Sequence, residues 1–403
     1  ADETDAVFGE LYSWYLRNPE YRSRVQKLVQ AAFAGKPKDI ISQSVAKALY
    51  GEVSPYSATR LERFAACAFA HFLQYGMKLT ERVEYEFKPM DMGNVMHEAL
   101  ESFAEEVRKR GMKWTELTEQ ERNEIADRCL DNIVADYGNT VLKSSARNEY
   151  MIERTRRILR RTVWALQKQL EQGEFQPEGF EVTFGGGRID RVDIMEDQNK
   201  VYVKVIDYKT GNTSFDLVYL YHGLQLQLMI YLDGALRVEQ KKYPDKEIIP
   251  AGVFYYNIKD PMIQEKIDAD VEAVSAGLMK ELKMNGLVQA DPELVYRMDS
   301  SLGSIPVAFN KDGSFRKNSS VADRTQFAVL GRYVRTKIEK IRSSILEGDA
   351  EVSPYELGKK NACTYCPYMT VCGFDRRLSG YEFRRLKNFS DEELWKAFDR
   401  EAE

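Results

Sequence analysis

Residues 188–209, RIDRVDIMEDQNKVYVKVIDYK, constrain the fold more than any other stretch. Two runs rich in Val, Ile and Tyr flank the polar EDQN at 196–199, which predicts a β-hairpin. Strand alternation in the second run puts Val201, Val203, Val205, Asp207 and Lys209 on one face. An even-length loop centred on 197–198 sets Asp190 opposite Val205, on the face of Asp207 and Lys209, and sets Asp193 opposite Tyr202 on the other face. A slip of one residue would exchange the faces. If the register holds, two carboxylates and an ammonium converge at the hairpin's open end.

That group suits phosphodiester hydrolysis. Two carboxylates hold a hard cation such as Mg²⁺, which polarises a phosphoryl oxygen and activates a bound water. Lys209 can orient that water or stabilise charge on the phosphate. The competing reading is a solvated hairpin with an ordinary Asp–Lys pair.

GRID at 187–190, IDYKTG at 206–211 and QLMIY at 227–231 together resemble the PD-(D/E)XK nuclease superfamily, in its RecB-like branch. The resemblance implies that Asp190 and Asp207 are metal ligands, Lys209 the catalytic lysine, and Gln227 and Tyr231 a supporting pair. Ile189-Asp190 stands where the superfamily usually has Pro-Asp. GNVMHEAL at 93–100 resembles the branch's GxxxH motif, which implies that His97 helps hold the metal, with Glu98 and Glu101 as fallback ligands.

A chain of 403 residues, 43% hydrophobic and 30% charged, fits a globular protein of two or three units. No apolar run reaches membrane-span length, and the polar N-terminus is no signal peptide. The opening ADETDAVFGELY, without Met, reads as a piece of something longer. A net charge of −5 leaves nucleic-acid contact to local basic patches. Five cysteines without an export signal point to a reducing cytoplasm and to metal binding over disulfides.

Residues 1–53 read as a helical packing segment with Phe8, Leu11, Tyr12 and Tyr15 at helical spacing. Residues 54–180 read as helices, opening with a turn at 54–59 and a Thr59/Glu62 capping box, with Cys67 two turns in. Within them, an amphipathic helix at 93–110 carries Met96, Leu100, Phe103 and Val107 as its stripe, and Gly93 permits close approach. RTRRILRR at 154–161 reads equally as a phosphate track or a solvated face. Cys129 reads as structural. Strands are predicted over 181–260, broken by one buried helix at 217–236 where Gln227 and Tyr231 stand i,i+4. The glycines at 185–187 precede no Gly-Lys-Ser/Thr, which excludes a phosphate loop. Residues 261–350 read as a helix-and-loop excursion, with a turn at 310–315, then a long helix with Arg332, Arg335, Lys337, Lys340 and Arg342 along it.

In the last segment, 351–403, Cys363, Cys366 and Cys372 form a CxxC-x5-C array. Three thiolates at this spacing can wrap one metal centre, and the fourth ligand is sought in Cys67. Together with SATRLERFAACAF and GYEFRRLKNFSDEELW, this array resembles the nuclease region of AddB-type proteins, covering the chain from about residue 54. That resemblance implies an α/β restriction-endonuclease-like core, a mixed central sheet flanked by helices, with large helical additions. It also implies a [4Fe-4S] cluster held by Cys67, Cys363, Cys366 and Cys372, for which zinc is the chemical alternative. Members of that family also carry a helicase-like half. The implied function is Mg²⁺-dependent cleavage of a DNA strand or unwound end beside an AddA-type helicase-nuclease partner, in recombinational repair of double-strand breaks. The alternatives are a non-catalytic DNA-binding scaffold of the same fold and a partner-docking domain.

Overall fold

A computed structural model describes residues 3–33, 40–51, 56–80, 89–136, 145–185, 187–263 and 270–402. Ser54 and Pro55 of the predicted turn, and Gly186 of the glycine run, lie outside the described residues. The chain forms two compact units, each assembled from three separate stretches. One comprises residues 1–50, 66–79 and 345–387; the other comprises 51–65, 80–344 and 388–403.

The larger unit is built on six strands whose spatial order follows the chain. They are β1 (Gln176–Phe184), β2 (Gly187–Asp197), β3 (Lys200–Lys209), β4 (Glu247–Asn257), β5 (Asn285–Gln289) and β6 (Val321–Ala322). The first three are antiparallel neighbours, and β4 runs parallel to β3. A parallel neighbour requires a crossover, which the Gln227–Lys242 helix supplies. This is the mixed sheet flanked by helices that the sequence leads one to expect.

The β2–β3 register runs through Val192↔Val205, Asp193↔Lys204 and Asp197↔Lys200. Its continuation brings Asp190 level with Asp207, two residues from the predicted partner Val205. An offset of two leaves every side chain on its expected face. It arises because the loop is only Gln198-Asn199, with Gln198 at φ 48°.

The two faces bury different chemistry. Met195, Tyr202, Ile206 and Tyr208 join the core with apolar residues of the Pro89–Lys109, Glu119–Asp136 and Ala146–Glu171 helices. On this face lies a buried ion group. Arg191 Nε lies 2.5 Å from Asp193 Oδ1, and Lys204 Nζ 3.1 Å from Asp193 Oδ2. Burial alone would raise the Asp193 pKa, but Arg191 and Lys204 hold it below the usual carboxylate range. The opposite face receives the Gln227–Lys242 helix.

Three elements differ from the sequence expectation. The helix predicted over 217–236 is two helices, Leu217–Tyr221 and Gln227–Lys242. The break follows from Gly223, at φ 76°, and from the Leu224 N–H that bonds back to the Tyr219 carbonyl. The sheet also continues into the 261–350 stretch as β5. There Gly286 lies so close to β4 that a Cβ would collide with the Val253 carbonyl oxygen, so glycine masks the strand pattern. Finally, Cys67 is not inside a helix. Its backbone is extended, between the Ala58–Ala66 and Ala68–His71 helices.

The smaller unit holds the Glu3–Arg17, Pro19–Phe33 and Gln43–Tyr50 helices. It also holds a three-stranded sheet in which β7 (Tyr355–Leu357) lies between β8 (Lys360–Asn361) and β9 (Arg384–Arg385). The aromatic stripe on the first helix forms but is not covered: Phe8 is 66% exposed and Leu11 49%. None of the described helices is long and apolar enough to cross a membrane.

Asp193→Ala should destabilise the larger unit by about 3–5 kcal/mol, because it leaves Arg191 and Lys204 buried without their counter-ion. Urea unfolding measures this, and a loss below about 1 kcal/mol would refute the buried charge group as a stabilising element.

Candidate active site

Three acids stand in a row across β1, β2 and β3. The β1–β2 register, Phe180↔Arg191 and Val182↔Ile189, sets Glu181 opposite Asp190, which is itself level with Asp207. His97, from the Pro89–Lys109 helix, completes the group. Its Nδ1 lies 3.4 Å from Asp190 Oδ2 and 3.7 Å from Glu181 Oε1. Ligand atoms of His97, Glu181 and Asp190 all fall within 4.8 Å of one another, as a shared cation requires. The helix packs close to the end of β3 here: a Cβ at residue 93 would sit 3.4 Å from Thr210 Oγ1, in van der Waals contact.

Local sequence patterning does not reveal Glu181. The fallback acids it offers are Glu98, which is exposed, and Glu101, whose electrostatic neighbours include Glu181. Glu181 adopts φ 50°, an uncommon backbone for a non-glycine residue within a strand. The signal that finds it is pairing across the β1–β2 turn, which no local motif carries.

Asp190 is fixed by the Tyr208 N–H, 2.7 Å from its Oδ2. Lys209 Nζ lies 2.6 Å from Asp207 Oδ2 and donates to Gln227 Oε1 at 2.7 Å. Gln227 Nε2 in turn donates to the Tyr231 hydroxyl at 2.9 Å. Of the five residues singled out from sequence on β2, β3 and the following helix, Asp207, Lys209, Gln227 and Tyr231 are thus linked in one chain of contacts, and Asp190 is held beside Asp207 by the Tyr208 N–H.

The three carboxylates face three basic groups: Arg188 lies 2.5 Å from Glu181, Lys209 2.6 Å from Asp207, and His97 sits between Asp190 and Glu181. Burial, then the nearby Asp190, pushes Asp207 up to about 7 in spite of Lys209. Burial disfavours a charged His97, yet hydrogen bonds to Asp190 and Glu181 outweigh it and raise the imidazole to about 10. Asp207 Oδ2 is buried and, beyond the close ammonium, accepts no well-directed hydrogen bond among the described residues. Such a donor set, crowded carboxylates with one imidazole, fits a divalent cation.

Glu62 is the second residue that local patterning misplaces. It does not box Thr59: the Arg60 N–H bonds to Ser57 Oγ instead. Glu62 Oε1 accepts the Leu226 N–H at 2.7 Å and the Gln227 N–H at 3.0 Å. The Gln227–Lys242 helix has no capping side chain at its own N-cap, Leu226. A carboxylate from far upstream therefore supplies the cap. Burial raises its pKa from 4.5 to about 7, against the two N–H groups and Lys209 that favour the charge.

The basic run at 154–161 is largely taken up internally. Arg156 pairs with Asp131 at 2.7 Å, Arg160 Nε with Asp127 at 2.8 Å, and Arg157 with Asp260 at 2.5 Å. In the smaller unit, Cys67, Cys363, Cys366 and Cys372 line one small cavity. Burial, then the other three thiols, pushes Cys363 up to about 12. Cys129 sits apart from them, in the helical core of the larger unit.

A carboxyl whose folded pKa is raised binds its proton longer in the folded state, so its contribution to stability falls as pH rises from 4.5 through 7. Glu62→Gln keeps an oxygen acceptor and removes the ionisation. It should match wild type near pH 5 and exceed it near pH 8, by about 1–2 kcal/mol after allowance for partial exposure. Thermal melts across that range test this; a constant offset would contradict it.

Comparison with known proteins places this geometry. A profile for the PD-(D/E)XK nuclease superfamily matches residues 55–373. The chain is 41% identical to an AddB-type protein of Lachnoclostridium phytofermentans, named for the ATP-dependent helicase/deoxyribonuclease of which it is one component, over 100% of the chain and 36% of that relative. The protein of the same name from Thermoanaerobacter sp. is 34% identical over 100% of the chain and 37% of its own length. That from Clostridium acetobutylicum is 34% identical over 99% and 36%. The chain therefore spans little more than a third of the relatives it matches. Acids aligned across three strands, the Lys209–Gln227–Tyr231 connection and a match over most of the sequence lead to one assignment: the chain belongs to the PD-(D/E)XK nuclease superfamily.

Proposed function

We propose that the larger unit hydrolyses DNA phosphodiesters with Mg²⁺, and that it does so as part of an AddAB-type helicase-nuclease acting in recombinational repair. The observation that carries the reading is Lys209 held between Asp207 and Gln227 beside Asp190. A non-catalytic scaffold has no use for a half-buried lysine whose ammonium is held by both Asp207 and Gln227. Asp190 and Asp207 would hold the cation; the ligand atoms that lie within 4.8 Å of one another are those of Asp190, His97 and Glu181. When bound, the cation supplies polarisation of the phosphoryl oxygen and a more acidic water.

The protein's own groups do the rest. The Tyr208 N–H and the Lys209 ammonium fix the two carboxylates in place. Gln227, anchored on Tyr231 and on the Glu62-capped helix start, keeps the ammonium pointed into the site. There its positive charge meets the phosphate as a water oxygen bonds to phosphorus, one ester P–O bond breaks, and the leaving alkoxide takes up a proton. Asp207→Ala and Lys209→Ala should each lower Mg²⁺-dependent cleavage of single-stranded DNA by at least about a hundredfold. Binding without cleavage in the wild type, under any divalent ion, would select the scaffold reading.

The four thiols in the smaller unit support an iron–sulfur cluster. They share one cavity, and the Phe374 N–H approaches Cys372 Sγ at 3.5 Å, the kind of donor that stabilises a cluster thiolate. Zinc in a tetrahedral site is the chemical alternative. Joining Cys67 to Cys363 closes a loop of about 300 residues, a constraint of roughly 5 kcal/mol in the chain-entropy account. Cys67→Ser should therefore lower the melting temperature and the iron content together. Unchanged melting in an iron-free variant would remove the structural role.

The partner would be an AddA-type protein, and the substrate a strand or unwound end of DNA. Both extend to this chain what the relatives' names and the family imply.

A further inference from the structure

The helix face that carries Gln227 and Tyr231 continues at helical spacing through Gly234, Val238 and Lys241. Those last three line a cavity of about 560 Å³, a volume in the range of ligand sites. Phe184 joins the cavity to the catalytic group. Its ring meets Tyr231 edge-on at 5.9 Å and lies over Gly234, where a Cβ would come within 2.6 Å of it. Glycine at 234 is what lets this half-buried ring lie flat across the cavity's near end.

The charge of the walls is one-sided. Arg237 and Lys241 come from the Gln227–Lys242 helix, and Arg335 and Arg342 from the Arg324–Glu347 helix. The one acid in the lining, Asp233, lies 2.7 Å from Arg237 and 2.9 Å from Arg335, so it holds the two guanidiniums toward each other across the opening. Four cations against Asp233 and against Glu339, which lies 3.0 Å from Arg342, leave a local surplus of positive charge in a chain of net charge −5 and mark a site for a polyanion. In the run at 154–161, by contrast, three of the five arginines, Arg156, Arg157 and Arg160, are matched by Asp131, Asp260 and Asp127.

We propose that this cavity is a second DNA contact, in which a single strand lays its phosphates along Arg237, Lys241, Arg335 and Arg342 and rests a base on Phe184 beside the reacting group. From Tyr231 to Lys241 the helix rises roughly 15 Å, room for a short run of nucleotides. Guanidinium groups suit phosphate oxygens, and an aromatic face takes any base, so the contact is independent of sequence. It holds the strand on one side of the cut without reading it.

The inference rests on the nuclease reading, and its test separates the two. Binding of a short fluorescein-labelled oligothymidylate is followed by anisotropy in EDTA over a salt series, for wild type, Arg237→Glu/Lys241→Glu and Lys241→Glu alone. An Arg154→Glu variant serves as control. The double variant should bind about tenfold more weakly, with a salt dependence shallower by about 1.4 in logarithmic slope, as expected for two lost phosphate contacts on a single strand. In Mg²⁺ it should raise KM for the same strand and leave kcat unchanged. Lys241→Glu alone should give about half the change in slope, which keeps the test decisive if the double variant does not fold. Unchanged affinity and slope in a folded variant, with wild type still binding and cleaving, overturn the cavity and leave the nuclease reading intact. Failure of wild type to bind and cleave overturns both.

Discussion

The pairing of β2 with β3 is the constraint on which the rest depends. In a pleated sheet, parity alone decides which side chains share a face. Because the register brings Asp190 level with Asp207, two carboxylates open toward Lys209 on one face. Arg191, Asp193 and Lys204 are locked into an internal ion group on the other. An odd shift would carry Asp190 away from Asp207 and Asp193 away from Lys204. The ion group thus opposes the wrong register together with the apolar core.

Strand β1 extends the same row to Glu181, and the helix that follows β3 approaches it from the side. The start of that helix is the site's most dependent point. Gln227 is at once its first residue, a hydrogen-bond acceptor for Lys209 and a donor to Tyr231. The backbone N–H groups there are satisfied by Glu62. A helix beginning one residue later would turn Gln227 away from the lysine. The short helix Ala58–Ala66, without a reacting group of its own, thereby sets the position of one that has.

How much of this the sequence discloses depends on the range of the interaction. The hairpin, the shared face of Asp190, Asp207 and Lys209, and the i,i+4 pair Gln227/Tyr231 are local, and alternation or helical spacing reveals them. The exact partner of Asp190 is displaced by two because loop length follows from turn geometry at Gln198-Asn199, which the polar run EDQN does not specify. Glu181 and Glu62 escape for a different reason. Each acts on a residue made its neighbour only by the sheet or by a helix arriving from far along the chain. The same holds for β5, where Gly286 serves a close backbone approach that no propensity records. The cysteines are intermediate: three announce themselves by spacing, whereas Cys67 enters only through the family resemblance and lines the same cavity as the others.

The discontinuity of the smaller unit has a consequence for biosynthesis. Its helices leave the ribosome ahead of the sheet, but β7, β8, β9 and three of the four thiols emerge only after residue 344. By then every strand of the six-stranded sheet has been made. The nascent chain must therefore carry one unfinished unit, with Cys67 still lacking the other three thiols, while the inserted one acquires its sheet. The larger unit is in turn completed by residues 388–403, which are made after the smaller unit's last stretch.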